Sequence, residues 1–94
     1  MTGKQRAKLR SMANGLQPIF QIGKDGLSDN LIKQIVDALE ARELIKVTVL
    51  ETSGSSSRDF CQEIAEIVGA EPIQVIGSKF VLYKKSSKNP KIEF

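Results

Sequence analysis

The sequence predicts an α/β fold: a two-layer sandwich with elements in the order α-β-α-β-α-β-β and a four-stranded mixed sheet. Three observations carry this. Apolar residues recur at helical spacing in three segments, short runs of β-formers lie after each of them, and Gly, Ser or Pro marks nearly every junction. The chain has 94 residues, which fits one domain spanning 1–94.

The first helix is read from Leu9, Met12, Ala13 and Leu16, with Thr2 as N-cap and Gly15 near its exit. Pro18 to Ile22 reads as the first strand, because Pro is tolerated where a strand begins. Gly23-Lys24-Asp25-Gly26 then turns the chain, and Ser28 caps a second helix with Asp29 in its first turn, where the helix dipole favours an acid. That helix presents Leu31, Ile32, Ile35, Val36 and Leu39 as a core stripe and runs to about Arg42.

Leu44 to Leu50 reads as the second strand, with Ile45, Val47 and Val49 on one face and Lys46 and Thr48 on the other. Ser56 and Asp59 mark the start of a third helix, whose core face is Phe60, Ile64, Ile67 and Val68 and which Gly69 ends. Ile73–Ile76 and Phe80–Tyr83, joined by Gly77-Ser78, read as a hairpin with a type II′ turn. Both βαβ units should be right-handed with parallel strand pairs, and the last strand should return antiparallel. Gln21, Lys46, Thr48 and Gln74 are the polar alternates for the less covered sheet face. Residues 84–94 are basic and polar and are expected to form a partly flexible tail.

Composition removes several functions. The chain has no His, no Trp and one Cys, Cys61, so it lacks a disulfide framework, a Cys/His zinc site and any imidazole-based triad. Cys61 falls on the apolar stripe of the third helix and reads as structural. The acid pairs Asp37/Glu40 and Glu63/Glu66 read as solvated helix faces rather than paired catalytic carboxylates. No apolar run approaches the roughly 20 residues of a membrane span, so no membrane partner and a cytoplasmic location are expected. No cofactor and no enzymatic activity are expected.

Charge is segregated along the chain. Residues 1–24 carry five bases and no acid, residues 25–71 ten acids and four bases, and residues 72–94 five lysines and one acid. Such segregation points to a polyanion partner. In the first helix Lys4/Lys8 and Arg6/Arg10 are like charges at i, i+4, each pair costing about 0.2–0.5 kcal/mol in an isolated helix. An anion would relieve that repulsion.

The turn at Gly23-Lys24-Asp25-Gly26 is the most informative motif. A strand ends, glycines let backbone N–H groups approach an anion, a helix N-terminus follows, and Lys24 adds a full charge. A Gly-x-x-Gly clamp of this kind holds an RNA backbone in KH domains. The same glycines would also serve a turn with no ligand at all. No Gly-Lys-Ser/Thr closes the loop and no third glycine follows, so neither a Walker loop nor a dinucleotide fingerprint is present. The five aromatics, Phe20, Phe60, Phe80, Tyr83 and Phe94, are too few and too scattered for a base-stacking sheet.

Several segments in fixed order carry a resemblance. These are Thr2-Gly3-Lys4-Gln5-Arg6, then Pro18 through Ser28, then Glu43-Leu44-Ile45-Lys46-Val47, then Gln74-Val75-Ile76-Gly77 with Val81-Leu82-Tyr83, and Asn89-Pro90-Lys91-Ile92. Over nearly its whole length the chain resembles the YhbY family, the bacterial stand-alone form of the CRM (chloroplast RNA splicing and ribosome maturation) domain. The resemblance implies an RNA-binding fold similar to the C-terminal domain of translation initiation factor three. It also implies association with precursors of the large ribosomal subunit. By position, it assigns RNA contact to the loop Gly23, Lys24, Asp25 and Gly26 and to the basic first helix, Lys4, Arg6, Lys8 and Arg10. Asp25 is acidic where the loop meets phosphate, which leaves that contact to Lys24 and the backbone.

The expectation is therefore a monomeric RNA-binding protein that assists ribosome assembly on large-subunit rRNA precursors. Lys4, Arg6, Lys8, Arg10, Gly23–Gly26 and Lys46 form its candidate RNA surface. The alternatives are a general regulator binding messenger or small RNA, and a protein-interaction adaptor whose acidic middle segment docks a basic partner.

Overall fold

Local chemistry sets each element boundary in the computed structural model, which describes residues 1–94. Thr2 opens α1 (Gly3–Ala13) with a reciprocal box. Its hydroxyl accepts the Gln5 N–H at 3.1 Å, and the Gln5 side chain accepts the Thr2 N–H at 3.0 Å. Strand β1 is only Phe20–Ile22, shorter than expected. Pro18 has no N–H to give, although Ile19 still donates to the Lys46 carbonyl at 3.0 Å.

Helix α2 (Asp29–Arg42) starts where Ser28 Oγ accepts the Leu31 N–H, as expected from its position. Strand β2 (Leu44–Val49) follows, then a single 3₁₀ turn at Glu51–Ser53. Ser56 caps α3 (Ser57–Val68), and Gly69 ends it at φ 73°, a left-handed conformation that costs glycine little. Strands β3 (Glu71–Ile76) and β4 (Lys79–Tyr83) form the predicted hairpin. Only Gly77 of its two turn residues has positive φ, at 56°, which is the type II′ signature.

The sheet is four-stranded and mixed, in the order β1-β2-β4-β3. β1 pairs parallel with β2, as the first βαβ unit requires. The second unit differs from expectation, because β4 lies between β2 and β3 and pairs antiparallel with both. The cause is burial. Phe80, Val81, Leu82 and Tyr83 are all buried, so β4 is apolar on both faces and belongs at the centre. β3 carries the exposed Glu71 and a bulge between Pro72 and Gln74, which suit an edge.

The two faces are filled differently. On one, α2 and α3 cover Ile22, Ile45, Val47, Val49, Phe80 and Leu82. Phe80 is wholly buried there, worth about 1.5–3 kcal/mol of transfer free energy. On the other, α1 sets Leu9 and Ala13 against Leu44, Ile73, Val81 and Tyr83. The expected helical stripes are wider than the buried ones. Met12, Val36 and Ile67 lie on the flanks of their helices and remain 41%, 42% and 55% exposed.

The C-terminal segment makes several bonds to the helices. Lys84 Nζ donates to the Val68 carbonyl and Lys91 Nζ to the Ala41 carbonyl, so two lysines bond the C-terminal ends of α3 and α2. Glu43, buried at φ 67°, accepts the backbone N–H groups of Ser86, Lys91 and Ile92. Glu40, read from the sequence as solvated, accepts from the Ser86 hydroxyl, the Ser87 N–H and hydroxyl, and the Lys88 N–H. No helix of the chain is long and apolar enough to cross a membrane.

Candidate nucleic-acid interface

The turn between β1 and α2 closes on itself. The Gly26 N–H donates to the Gly23 carbonyl at 3.0 Å, leaving Lys24 and Asp25 exposed at the tip. Gly26 has φ 61°, and a Cβ there would meet nothing within 4 Å, so its glycine answers to backbone conformation alone. The Gly26 N–H is already used, whereas those of Lys24 and Asp25 have no acceptor within the chain. Together with Lys24 Nζ they form a small set of donors beside the start of α2. A cleft of about 270 Å³ surrounds them, lined also by Gln21, Ser28, Asn30 and Gln34. Asp29 sits in the first turn of α2 and offsets part of the dipole there.

The four cations of α1 do not gather around this turn. Arg6 is committed to the fold: Nη2 pairs with Glu71 Oε2 at 2.8 Å, and Nη1 donates to the Pro72 carbonyl at 2.8 Å. Lys8 donates to the Glu93 carbonyl, and its ammonium lies 5.9 Å from the Phe94 ring centroid. Phe94 in turn meets Tyr83 edge to face, with centroids 5.9 Å apart. Lys4 and Arg10 are exposed and form no ion pair. Arg6 anchors at the start of β3, level with the start of β2, while the loop extends from the level of Val49 at the other end. That is roughly 17 Å along the strand.

Lys46 belongs to a different concavity. It is half-buried on the second sheet face and shares a groove of about 330 Å³ with Asn14, Gln74, Ser78 and Lys79. The sequence reading placed Lys46 and Gln74 on this face but missed Asn14 and Lys79. Lys79 is the one exposed residue of β4 and pairs with Thr48, so its face follows from the register of the strand and not from any polar alternation along it. Asn14 lies just beyond the end of α1, where no periodicity marks it.

Two acids that bond the C-terminal segment titrate below the ordinary carboxylate range. Ser87 hydrogen bonds, with those of Ser86 and Lys88, hold the Glu40 carboxyl down at about 2. At Glu43 burial pushes the pKa up, but the three backbone N–H donors and Lys85 outweigh it and the net direction is down. Burial pushes the Cys61 thiol up to about 11, far from nucleophilic.

Residues 1–84 match the family model described as the CRS1 / YhbY (CRM) domain. A Bacillus subtilis relative, "Probable RNA-binding protein YqeI", is 50% identical over 93 residues, covering 99% of this chain and 97% of its own. A Haemophilus influenzae relative named "RNA-binding protein" is 31% identical over 88 residues, covering 94% of this chain and 89% of that one. The solution structure of Staphylococcus aureus SAV1595, described as a candidate RNA-binding protein, matches with a TM-score of 0.77 at 45% identity. The match covers 99% of this chain and 97% of that one.

Proposed function

The chain belongs to the CRS1 / YhbY (CRM) domain family, and from that premise we propose that it is a non-catalytic RNA-binding protein that assists ribosome assembly on large-subunit rRNA precursors. The observation that carries the reading is the exposed turn at Lys24, whose tip N–H groups have no acceptor in the chain and stand beside a full positive charge. Backbone donors and a lysine are the usual partners of an RNA phosphate. Asp25 shares the tip, so Lys24 and the backbone carry that contact. Lys4, Arg10 and Lys46 add sequence-independent attraction, and Arg6 and Lys8 contribute field while holding the fold. Folded rRNA shape supplies the selectivity.

Each phosphate neutralised steepens the salt dependence by about 0.7–0.9 in log–log slope. Four contacts, from Lys4, Arg10, Lys24 and Lys46, therefore weaken binding roughly 50- to 150-fold between about 50 and 200 mM salt. Lys24→Asp should remove most affinity for structured rRNA while the melting temperature hardly moves. A large loss of stability with unchanged affinity would reduce the turn to a connector. Sedimentation of cell extract over a salt series tests the assembly role directly. Co-migration with large-subunit precursors at low salt supports it, and recovery only in the free pool or with messenger RNA refutes it.

A further inference from the structure

Helix α1 covers only part of the second sheet face, and the remainder is the groove beyond its end. Asn14 enters from the close of α1, Gln74 from β3, Lys46 from β2 and Lys79 from the start of β4. No acid lines it. Ile76, at the rim, is 61% exposed, an apolar surface without a partner in the chain.

These groups differ in kind from those of the Lys24 turn. Two ammonium groups suit phosphates. Two side-chain amides, each with a donor and an acceptor, suit the edge of a base. An exposed apolar side chain suits a base face. A base edge is available for hydrogen bonding in a single strand, whereas in an RNA duplex it is paired and lies in a groove side chains cannot read. We propose that this groove holds a nucleotide of single-stranded RNA, its base read by Asn14 and Gln74 against Ile76 and its flanking phosphates held by Lys46 and Lys79. The proposal rests on RNA being the partner of the chain, and it adds a second, base-reading subsite to the phosphate contact at Lys24.

The two subsites are joined. Gln21, which lines the Lys24 cleft, pairs with Thr48, and Thr48 pairs with Lys79 of the groove. This row crosses two strand spacings, about 10 Å, over a surface of polar side chains. One RNA strand can therefore follow the row from the groove to the turn.

The test is fluorescence anisotropy with a short mixed-sequence RNA, offered both single-stranded and annealed to its complement. The double variant Asn14→Ala/Gln74→Ala should weaken single-strand binding roughly tenfold and leave duplex binding unchanged. Lys24→Asp should weaken both. Amide spectra of the unaltered protein should shift at Gly77 and Ser78 when the single strand is added, a readout that needs no variant. The groove proposal is overturned if the double variant binds the single strand like the unaltered protein. It is equally overturned if single-strand and duplex binding fall together, since the groove would then contact only phosphates. Absence of binding by the unaltered protein to either RNA would instead sink the RNA reading itself, and the groove with it.

Discussion

Two irregular segments of this chain carry backbone N–H groups outside the regular elements, and they satisfy them in opposite ways. Residues 86–92 send the N–H groups of Ser86, Ser87, Lys88, Lys91 and Ile92 onto the carboxylates of Glu40 and Glu43. The turn at residues 23–26 uses one N–H internally and leaves those of Lys24 and Asp25 without an acceptor. Where the chain supplies its own anion, backbone donors become part of the fold. Where it withholds one, the same donors stay open to a partner. The contrast also divides the lysines: Lys84 and Lys91 bond helix C-terminal carbonyls, while Lys24 stays free in the open cleft.

The largest expected effect comes from breaking the satisfied side. Glu43→Gln replaces one acceptor oxygen by an amide donor facing backbone N–H groups, and should cost about 2–3 kcal/mol in denaturant unfolding. Amide exchange at Ser86 should accelerate with it, since the remaining oxygen can still accept from Lys91 and Ile92. If stability is unchanged, these carboxylate bonds do not hold the segment.

Acid should loosen the same contacts without mutation. Glu40 and Glu43 both titrate below the ordinary 4.5 in the folded chain, Glu40 at about 2. Groups depressed in this way stabilise the folded state above the unfolded pKa, and that contribution is lost as pH falls from about 4.5 toward about 2. Amide shifts of Ser87 and Lys88 should therefore follow a titration centred near 2. A midpoint near 4.5 would mean that Glu40 is not bonded as described.

Smaller effects belong to the open side. Gly26→Ala should cost about 1–2 kcal/mol, all of it from the left-handed backbone, since the added Cβ has free space around it. Lys24→Ala should change unfolding free energy by less than about 0.5 kcal/mol, as for other exposed side chains without a partner. A larger loss at Lys24 would erase the distinction between the two segments.

How far the sequence could anticipate this follows the range of each interaction. The caps at Thr2, Ser28 and Ser56, the Gly69 stop and the Gly77-Ser78 turn were all legible, because their chemistry is completed within a few residues. Strand faces were legible from alternation, so Lys46 and Gln74 were correctly set on the open face. The β1–β2 and β3–β4 pairings were legible too, but the β2–β4 pairing was not, because periodicity assigns a side chain to a face and says nothing about which distant strand lies beside it. The anchoring role of Glu40 and Glu43 was hidden for another reason. Their donors are mostly backbone N–H groups 43 to 49 residues further along the chain, and backbone leaves no mark in the residue alphabet. The ion pair of Arg6, which the family resemblance assigns to RNA contact, was hidden in the same way, because Glu71 and the Pro72 carbonyl lie 65 and 66 residues away.

The strand order has a consequence for how the chain reaches its fold. β4 is the last strand in chain order yet sits in the interior of the sheet, between β2 and β3. During synthesis, β1, β2 and all three helices are available while β2 still has a bare edge and β3 has no strand partner. The sheet is complete only when Lys79–Tyr83 is present, since that strand pairs with both halves. Non-local pairing of this kind slows folding and leaves strand edges exposed until it is complete. A chain truncated before Lys79 should therefore be sensitive to proteases and prone to aggregate, compared with one that keeps residues 79–94.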